Sequence, residues 1–246
     1  MRIGWECVSR LGAAAALTAL LAAAPARAEG PRCVIELFTS QGCSSCPPAD
    51  ALAAQLAKDP RNIVVSFPVD YWDYIGWKDT LASPAFTARQ RAYAGARGDG
   101  HVYTPQAVVN GVAHAVGSDA GEISSAVNAS AARANALTVA MKTKETAAGL
   151  HIEIPAASGG AGGVWLLRTL HQKQVAIGRG ENAGRSVTYT NVVRGMDRIG
   201  EWKGASVSFD VPAAQLRQGD ADSYVVLLQA GTQARPGAVL AAAKSD

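Results

Sequence analysis

The residues best suited to chemistry are Cys43 and Cys46, in the run Cys43-Ser44-Ser45-Cys46. Cysteines at this spacing can close a disulfide with little backbone movement. An apolar run, Cys33 to Thr39, precedes them and reads as a mostly buried strand. Pro48 to Ala57 follows and reads as a helix, with Ala49, Leu52, Ala53 and Leu56 on one face. A helix N-terminus carries partial positive charge and N–H groups without intrahelical acceptors, so it stabilises a thiolate. Pro47 and Pro48 suit the first turn, where no intrahelical hydrogen bond is lost. Other uses of the pair remain open. It could supply half of a zinc site, which would need a further cysteine or histidine pair. His101, His114, His151 and His171 show no paired spacing. It could carry copper, or form a structural disulfide whose short loop constrains the unfolded chain little.

These cysteines sit in a chain of 246 residues, 48 % hydrophobic and 17 % charged, which excludes disorder driven by charge. The formal net charge is +3. Residues 1–28 hold three basic residues (Arg2, Arg10, Arg27) and one acid (Glu6), so the remainder has 20 basic against 19 acidic residues. A near-neutral remainder gives a nucleic-acid partner no electrostatic footprint. Arg2 and Arg10, the apolar run Leu11 to Ala24, and then Pro25-Ala26-Arg27-Ala28 have the layout of a secretory signal. The run is shorter than the roughly 20 residues that span a bilayer. The mature chain is therefore expected to begin near Glu29, periplasmic or secreted, with no membrane anchor left after cleavage. Cys7 leaves with the signal. Cys33, Cys43 and Cys46 remain, an odd number, and Cys33 on its apolar strand reads as a buried free thiol or as a resolving or regulatory one.

Two organisational units are expected, residues 29–136 and 137–246. In the first, Asn62 to Val69 is a second strand, and strand–helix–strand order favours a parallel pair. The aromatic run Tyr71 to Trp77 then leaves the sheet at the same edge as Cys43. Trp72 and Trp77 would there wall a substrate site or plug the junction between the lobes. Ser83-Pro84 opens a helix to Ala96. Gln106 to Val109 and Val112 to Val116 flank Asn110-Gly111 as a hairpin. Asp119 and Glu122 form a capping box on a helix to about Asn135. From Leu137 onward short β-rich runs recur between glycine clusters: 137–142, 150–154, 164–170, 175–177, 187–193, 206–211 and 224–229. That pattern predicts a mostly antiparallel, sandwich-like C-terminal lobe. The polar stretch Arg179 to Arg185 reads as a hairpin connection or lobe contact.

Val34-Ile35-Glu36-Leu37-Phe38 followed by the cysteine pair, and Tyr103-Thr104-Pro105-Gln106 before Asn110-Gly111, resemble a thioredoxin-like domain. Through Glu36–Asp50, Asp70–Asp79, Tyr103–Gly111 and Gly180–Arg194, the chain also resembles a family of secreted thioredoxin-like proteins known as a domain of unknown function. The resemblance implies an α/β thioredoxin-like N-terminal domain with Cys43 as exposed nucleophile and Cys46 as resolving cysteine. It implies a cis bond before Pro105, with the proline packed on the disulfide and Thr104 offering a substrate-docking edge. It also implies a buried carboxylate beneath the second cysteine. Glu36 is the candidate for this proton shuttle; its other reading is a strand acid facing solvent. The expected function is an exported thiol–disulfide oxidoreductase acting on protein or small-molecule thiols and disulfides, with an upstream redox partner and neither cofactor nor metal. The competing expectation is a non-catalytic thioredoxin-like module for copper delivery or partner docking.

Overall fold

Every residue of the first strand, β1 (Cys33–Thr39), is buried, so it packs against a layer on each face. The computed structural model describes Met1, residues 30–133 and residues 136–245. The secretion signal expected over 1–28 therefore lies outside the described residues apart from Met1, as does the helix end expected at Asn135. Helix α1 (Pro47–Leu56) joins β1 to β2 (Asn62–Pro68), and the strands run parallel from Cys33↔Asn62 to Thr39↔Pro68. The aromatic run holds one 3-10 turn, Asp73–Ile75. Helix α2 (Pro84–Arg97) starts where Ser83 turns extended and its hydroxyl accepts the Ala85 N–H; it ends at Gly98 in the left-handed region.

Strands β3 (Gln106–Val109) and β4 (Ala113–Val116) flank a turn with φ of 50° at Asn110 and 74° at Gly111. A Cβ on Gly111 would lie 2.3 Å from the Gly237 carbonyl oxygen, so both the turn and a neighbouring chain require glycine there. Helix α3 (Ala120–Arg133) is capped by Asp119, whose Oδ1 accepts the Glu122 N–H at 2.9 Å. The reciprocal half of the capping box is redirected: the Glu122 carboxylate accepts from the Val116 N–H instead. It ties β4 to the helix start.

The later elements are β5 (Lys142–Thr146), β6 (Gly149–Ile154), β7 (Gly162–Ala176), β8 (Ser186–Trp202), β9 (Val207–Pro212), the short α4 (Ala213–Leu216), β10 (Ser223–Gly231) and β11 (Pro236–Lys244). Together the described strands give a mixed α/β fold dominated by one large, mostly antiparallel sheet. Its order is β11-β10-β7-β8-β2-β1-β3-β4, and β5-β6-β9 form a second sheet. The halves of the large sheet meet where β8 runs parallel to β2 at Ser66↔Val192. Among the described residues no helix is long and apolar enough to cross a membrane.

Alternation along the strands sorts the core into layers. Cys33, Ile35 and Leu37 face α1 and α3 through Ala49, Ala53, Ile123 and Val127. Val34 and Phe38 face the other way, with Phe67, Phe86 and Tyr93. In the second half, Val164 and Leu166 pack against Leu150, Ile152 and Val211 of the small sheet, while Trp165 and Leu167 join the α2 layer. The sandwich expected of the C-terminal half is thus built from the small sheet and the outer half of the large one.

Several elements differ from expectation. Of 137–142 only Lys142 is in a strand; Leu137 and Val139 instead donate backbone bonds to Val239 and Leu240. The runs 164–170 and 175–177 merge into β7, because His171 to Gln174 are polar strand residues facing solvent rather than a turn. Strand β11 lies in an Ala-rich stretch for which no strand was expected, and it forms by pairing with β10.

Candidate functional site

Cys43 and Cys46 form a disulfide in the loop between β1 and α1, with their Cα atoms 5.4 Å apart. Cys46 is the N-cap of α1, and Pro47 and Pro48 occupy its first positions. The Cys46 carbonyl accepts from the N–H groups of Ala49 (2.8 Å) and Asp50 (3.1 Å), while the Cys46 N–H bonds the Cys43 carbonyl at 3.1 Å. Local sequence thus places the pair where a thiolate meets the positive end of a helix.

The expected exposed nucleophile is not exposed. Cys43 is 1 % and Cys46 0 % accessible. The cover is the tip of the β7–β8 hairpin, residues 177–185. Its Asn182 side chain donates to the carbonyl oxygens of Gln41 (2.9 Å) and Cys43 (2.8 Å). Beside it, the Glu181 carboxylate accepts the Ser44 N–H at 3.2 Å. Within residues 178–186, Asn182 is buried and every other residue is exposed. A polar tip thus docks on the disulfide loop with one inserted amide, whose Oδ1 is buried without a hydrogen-bond partner. The stretch Arg179 to Arg185 is therefore both a hairpin connection and a lobe contact, and the contact lands on the cysteines.

The two tryptophans face different neighbours. Trp77 plugs the junction: its ring packs with Ile177, Val187 and Tyr189, and its Nε1–H donates to Gln41 Oε1 at 2.8 Å. Trp72 faces the proline loop. Its Nε1–H donates to Thr104 Oγ1 at 2.8 Å, and its Cβ lies 2.9 Å from where a Cβ on Gly42 would sit. The Thr104–Pro105 bond is cis. Trp72 therefore links Thr104 to Gly42, the residue before Cys43, and Tyr74, 80 % exposed, stacks on its outer side.

Glu36 is neither beneath the cysteines nor in solvent. It is fully buried in an ion pair with Arg89, at 2.6 and 2.8 Å, and accepts a hydrogen bond from Tyr93. Strand parity is the reason: Glu36 shares the α2 face of β1 with Val34 and Phe38, whereas α1 and the disulfide lie over the other face. The buried carboxylate on the α1 side is Asp50, four residues after Cys46. Its Oδ1 accepts from Thr39 Oγ1 at 2.8 Å, and its Oδ2 is buried without a partner. Burial pushes the Asp50 carboxyl well above the ordinary carboxylate range, the Thr39 hydrogen bond opposes this, and the charge of Asp79 adds to it. Asp79 is itself raised by burial although Gln41, Leu81 and Ala82 donate to it. Tyr189 is raised as well, first by burial and then by these two carboxylates. The spacing Cys46-x-x-x-Asp50, one helical turn, was the available signal for Asp50.

Cys33 is a buried free thiol whose Sγ donates to Asn62 Oδ1 at 3.2 Å, and burial pushes it up to about 11. It lies at the opposite end of β1 from the disulfide loop.

Comparison with known proteins adds a family. A family model described as Protein of unknown function (DUF1223) matches residues 34–229. An X-ray crystal structure of a protein from Agrobacterium tumefaciens is 33 % identical, with a TM-score of 0.78, covering 88 % of this chain and 94 % of that one. HBP35 of Porphyromonas gingivalis is similar in fold, with a TM-score of 0.55 at 11 % identity, covering 88 % of this chain and 75 % of that one. No curated protein matches.

Proposed function

The chain belongs to the DUF1223 family, and we propose that it is an exported thiol–disulfide oxidoreductase whose N-terminal half is thioredoxin-like and whose redox pair is Cys43 and Cys46. One observation carries the reading. The disulfide sits at a helix N-terminus against a polar hairpin tip that inserts one buried amide, which in this reading a substrate displaces. A purely structural disulfide needs no such removable polar lid.

In the oxidising direction, a substrate thiolate attacks Cys43 Sγ. A substrate–Cys43 disulfide forms, the Cys43–Cys46 bond breaks, and its electron pair leaves on Cys46 as thiolate. A second substrate thiolate then attacks the substrate sulfur of the mixed disulfide and expels Cys43 as thiolate. The substrate leaves as a disulfide, two electrons poorer, and the protein holds two thiols. Run backwards, the same steps reduce a substrate disulfide. In this reading Asp50, whose carboxyl burial pushes well above the ordinary carboxylate range, protonates the departing Cys46 thiolate and reclaims the proton on re-oxidation. Trp72 and Thr104 border the side from which an extended substrate reaches Cys43.

The test is turnover of insulin disulfides and of reduced model peptides by the purified mature chain. Activity that disappears in Cys43→Ser, with mixed disulfides accumulating in Cys46→Ser, supports the reading. Full activity in Cys43→Ser sinks it. So does an absence of turnover in both directions by wild type and by a variant with the tip loosened, which leaves a docking or copper-delivery module.

A further inference from the structure

We propose that Asp99, His101 and His114 form a binding site for a divalent transition ion, zinc first among them, at the loop leading into Thr104–Pro105. The site is separate from the disulfide and does not rest on the redox reading. Asp99 and His101 lie in the loop that follows α2, and His114 comes from β4. One ligand atom from each, a carboxylate oxygen and two ring nitrogens, fall within 4.8 Å of one another.

The contact between His114 Nε2 and Asp99 Oδ2 is 3.4 Å, wider than a good N–H···O hydrogen bond. It equals the edge of a tetrahedron whose metal–ligand bonds are about 2.1 Å long, the zinc–imidazole distance. The other ring nitrogen is already engaged, since His114 Nδ1 meets the Tyr103 hydroxyl at 2.9 Å. Outer hydrogen bonds of this kind fix a metal-binding histidine so that its second nitrogen faces the ion.

Asp99 is oriented as well. Arg97 holds Oδ2 through Nε at 2.7 Å and Oδ1 through Nη2 at 3.2 Å, and the His101 N–H donates to Oδ1 at 2.9 Å. A carboxylate offers about four lone-pair positions, so Oδ2 keeps one toward His114. The His101 ring stands edge-on to His114, with centroids 5.9 Å apart, and is exposed, so it can swing to complete the set. Two imidazoles and one carboxylate suit zinc, copper or nickel and do not suit calcium or magnesium, which take oxygen donors. Three protein ligands leave a fourth position for water or a ligand. A bound ion would also pin the loop 98–105 to β4.

The experiment titrates the oxidised mature chain, in which Cys43 and Cys46 cannot bind metal, with zinc chloride by calorimetry, and measures zinc retained after dialysis. One zinc per chain is expected, with affinity falling about tenfold or more in His101→Ala and in His114→Ala. His101 is exposed, so its variant folds whether or not His114→Ala does. The same titration of His151→Ala should match wild type, because His151 pairs with Asp210 and Glu153 elsewhere on the surface. Zinc binding unchanged by His101→Ala, zinc lost in His151→Ala, or no zinc retained by wild type would each overturn the assignment.

Discussion

Removing the Asn182 side chain should make the disulfide react faster without dismantling the fold. In the closed state its amide donates two buried hydrogen bonds, to Gln41 O at 2.9 Å and to Cys43 O at 2.8 Å. Each is worth about 0.5–1.5 kcal/mol net, so Asn182→Ala should weaken closure by about 1–3 kcal/mol. If the tip opens and recloses faster than reductant attacks, the rate scales with the open population. At 1.36 kcal/mol per factor of ten, this is about a 5- to 150-fold acceleration. The assay follows reduction by dithiothreitol at several concentrations, quenched with an alkylating reagent and read by mass spectrometry. Rates must rise linearly with reductant, and circular dichroism must show the folded state throughout. Asn182→Asp is the companion variant, because its carboxylate would face the two carbonyl oxygens it must replace donors for, and it should open the tip further. Glu181→Gln should change little, since Glu181 is exposed and the amide oxygen of glutamine can still accept the Ser44 N–H. The lid argument fails if both Asn182 variants, still folded, are reduced no faster than wild type.

Glu36→Gln and Arg89→Met should each destabilise the fold by about 3–5 kcal/mol, because each strands one member of a buried ion pair. Thermal midpoints should drop by roughly 6–20 °C while disulfide exchange in the folded variants stays at the wild-type rate; slowed exchange in folded Glu36→Gln would restore Glu36 as a proton shuttle. For Asp50, the raised folded value means its contribution to stability is fully present below the ordinary carboxylate value and lost as pH rises through the raised one. Urea unfolding from pH 4 to 9 should therefore show Asp50→Asn losing less stability with rising pH than wild type, and parallel profiles would contradict a carboxyl raised by burial. After reduction, iodoacetamide at mildly acidic pH should alkylate Cys43 first and Cys33 only on unfolding, given a thiol pushed up to about 11; peptide mass spectrometry showing early Cys33 labelling would contradict its burial.

Local signals carried much of the first half. The turn Asn110-Gly111, the cap Ser83-Pro84 and the run before Cys43 are read from neighbours within a few residues, and each element formed close to where it was expected. What failed was long-range. Strand parity on β1 depends on which layer lies on which face, and in a strand buried on both faces the hydrophobic pattern does not report it. Glu36 read as a shuttle or a surface acid because its partners, Arg89 and Tyr93, come from a helix more than fifty residues away. Asp50 was overlooked although one helical turn separates it from Cys46, because an acid in the first turn of a helix is ordinary at the surface. Strand β11 depended on its neighbour in the same way: Ala241, Ala242 and Ala243 are strand only because β10 supplies their hydrogen-bond partners.

Asn182 is the extreme case. Its own stretch is polar and glycine-rich, which describes any exposed connection. Its position beside Cys43 is set by the length and pairing of β7 and β8, which run paired from Gly162↔Trp202 to Ala176↔Ser186 and carry the tip to the loop between β1 and α1. The single β8–β2 bridge at Ser66↔Val192, reinforced by Ser66 Oγ donating to the Thr190 carbonyl, fixes where that arm passes the sheet. The C-terminal half therefore does more than extend the sheet. It supplies the buried amide that docks on the disulfide loop, at the end of an arm whose outer strand residues, His171 to Gln174, face solvent. Contacts that draw this arm away from Gln41 and Cys43 would loosen the cover without disturbing α1, at whose N-terminus the disulfide sits.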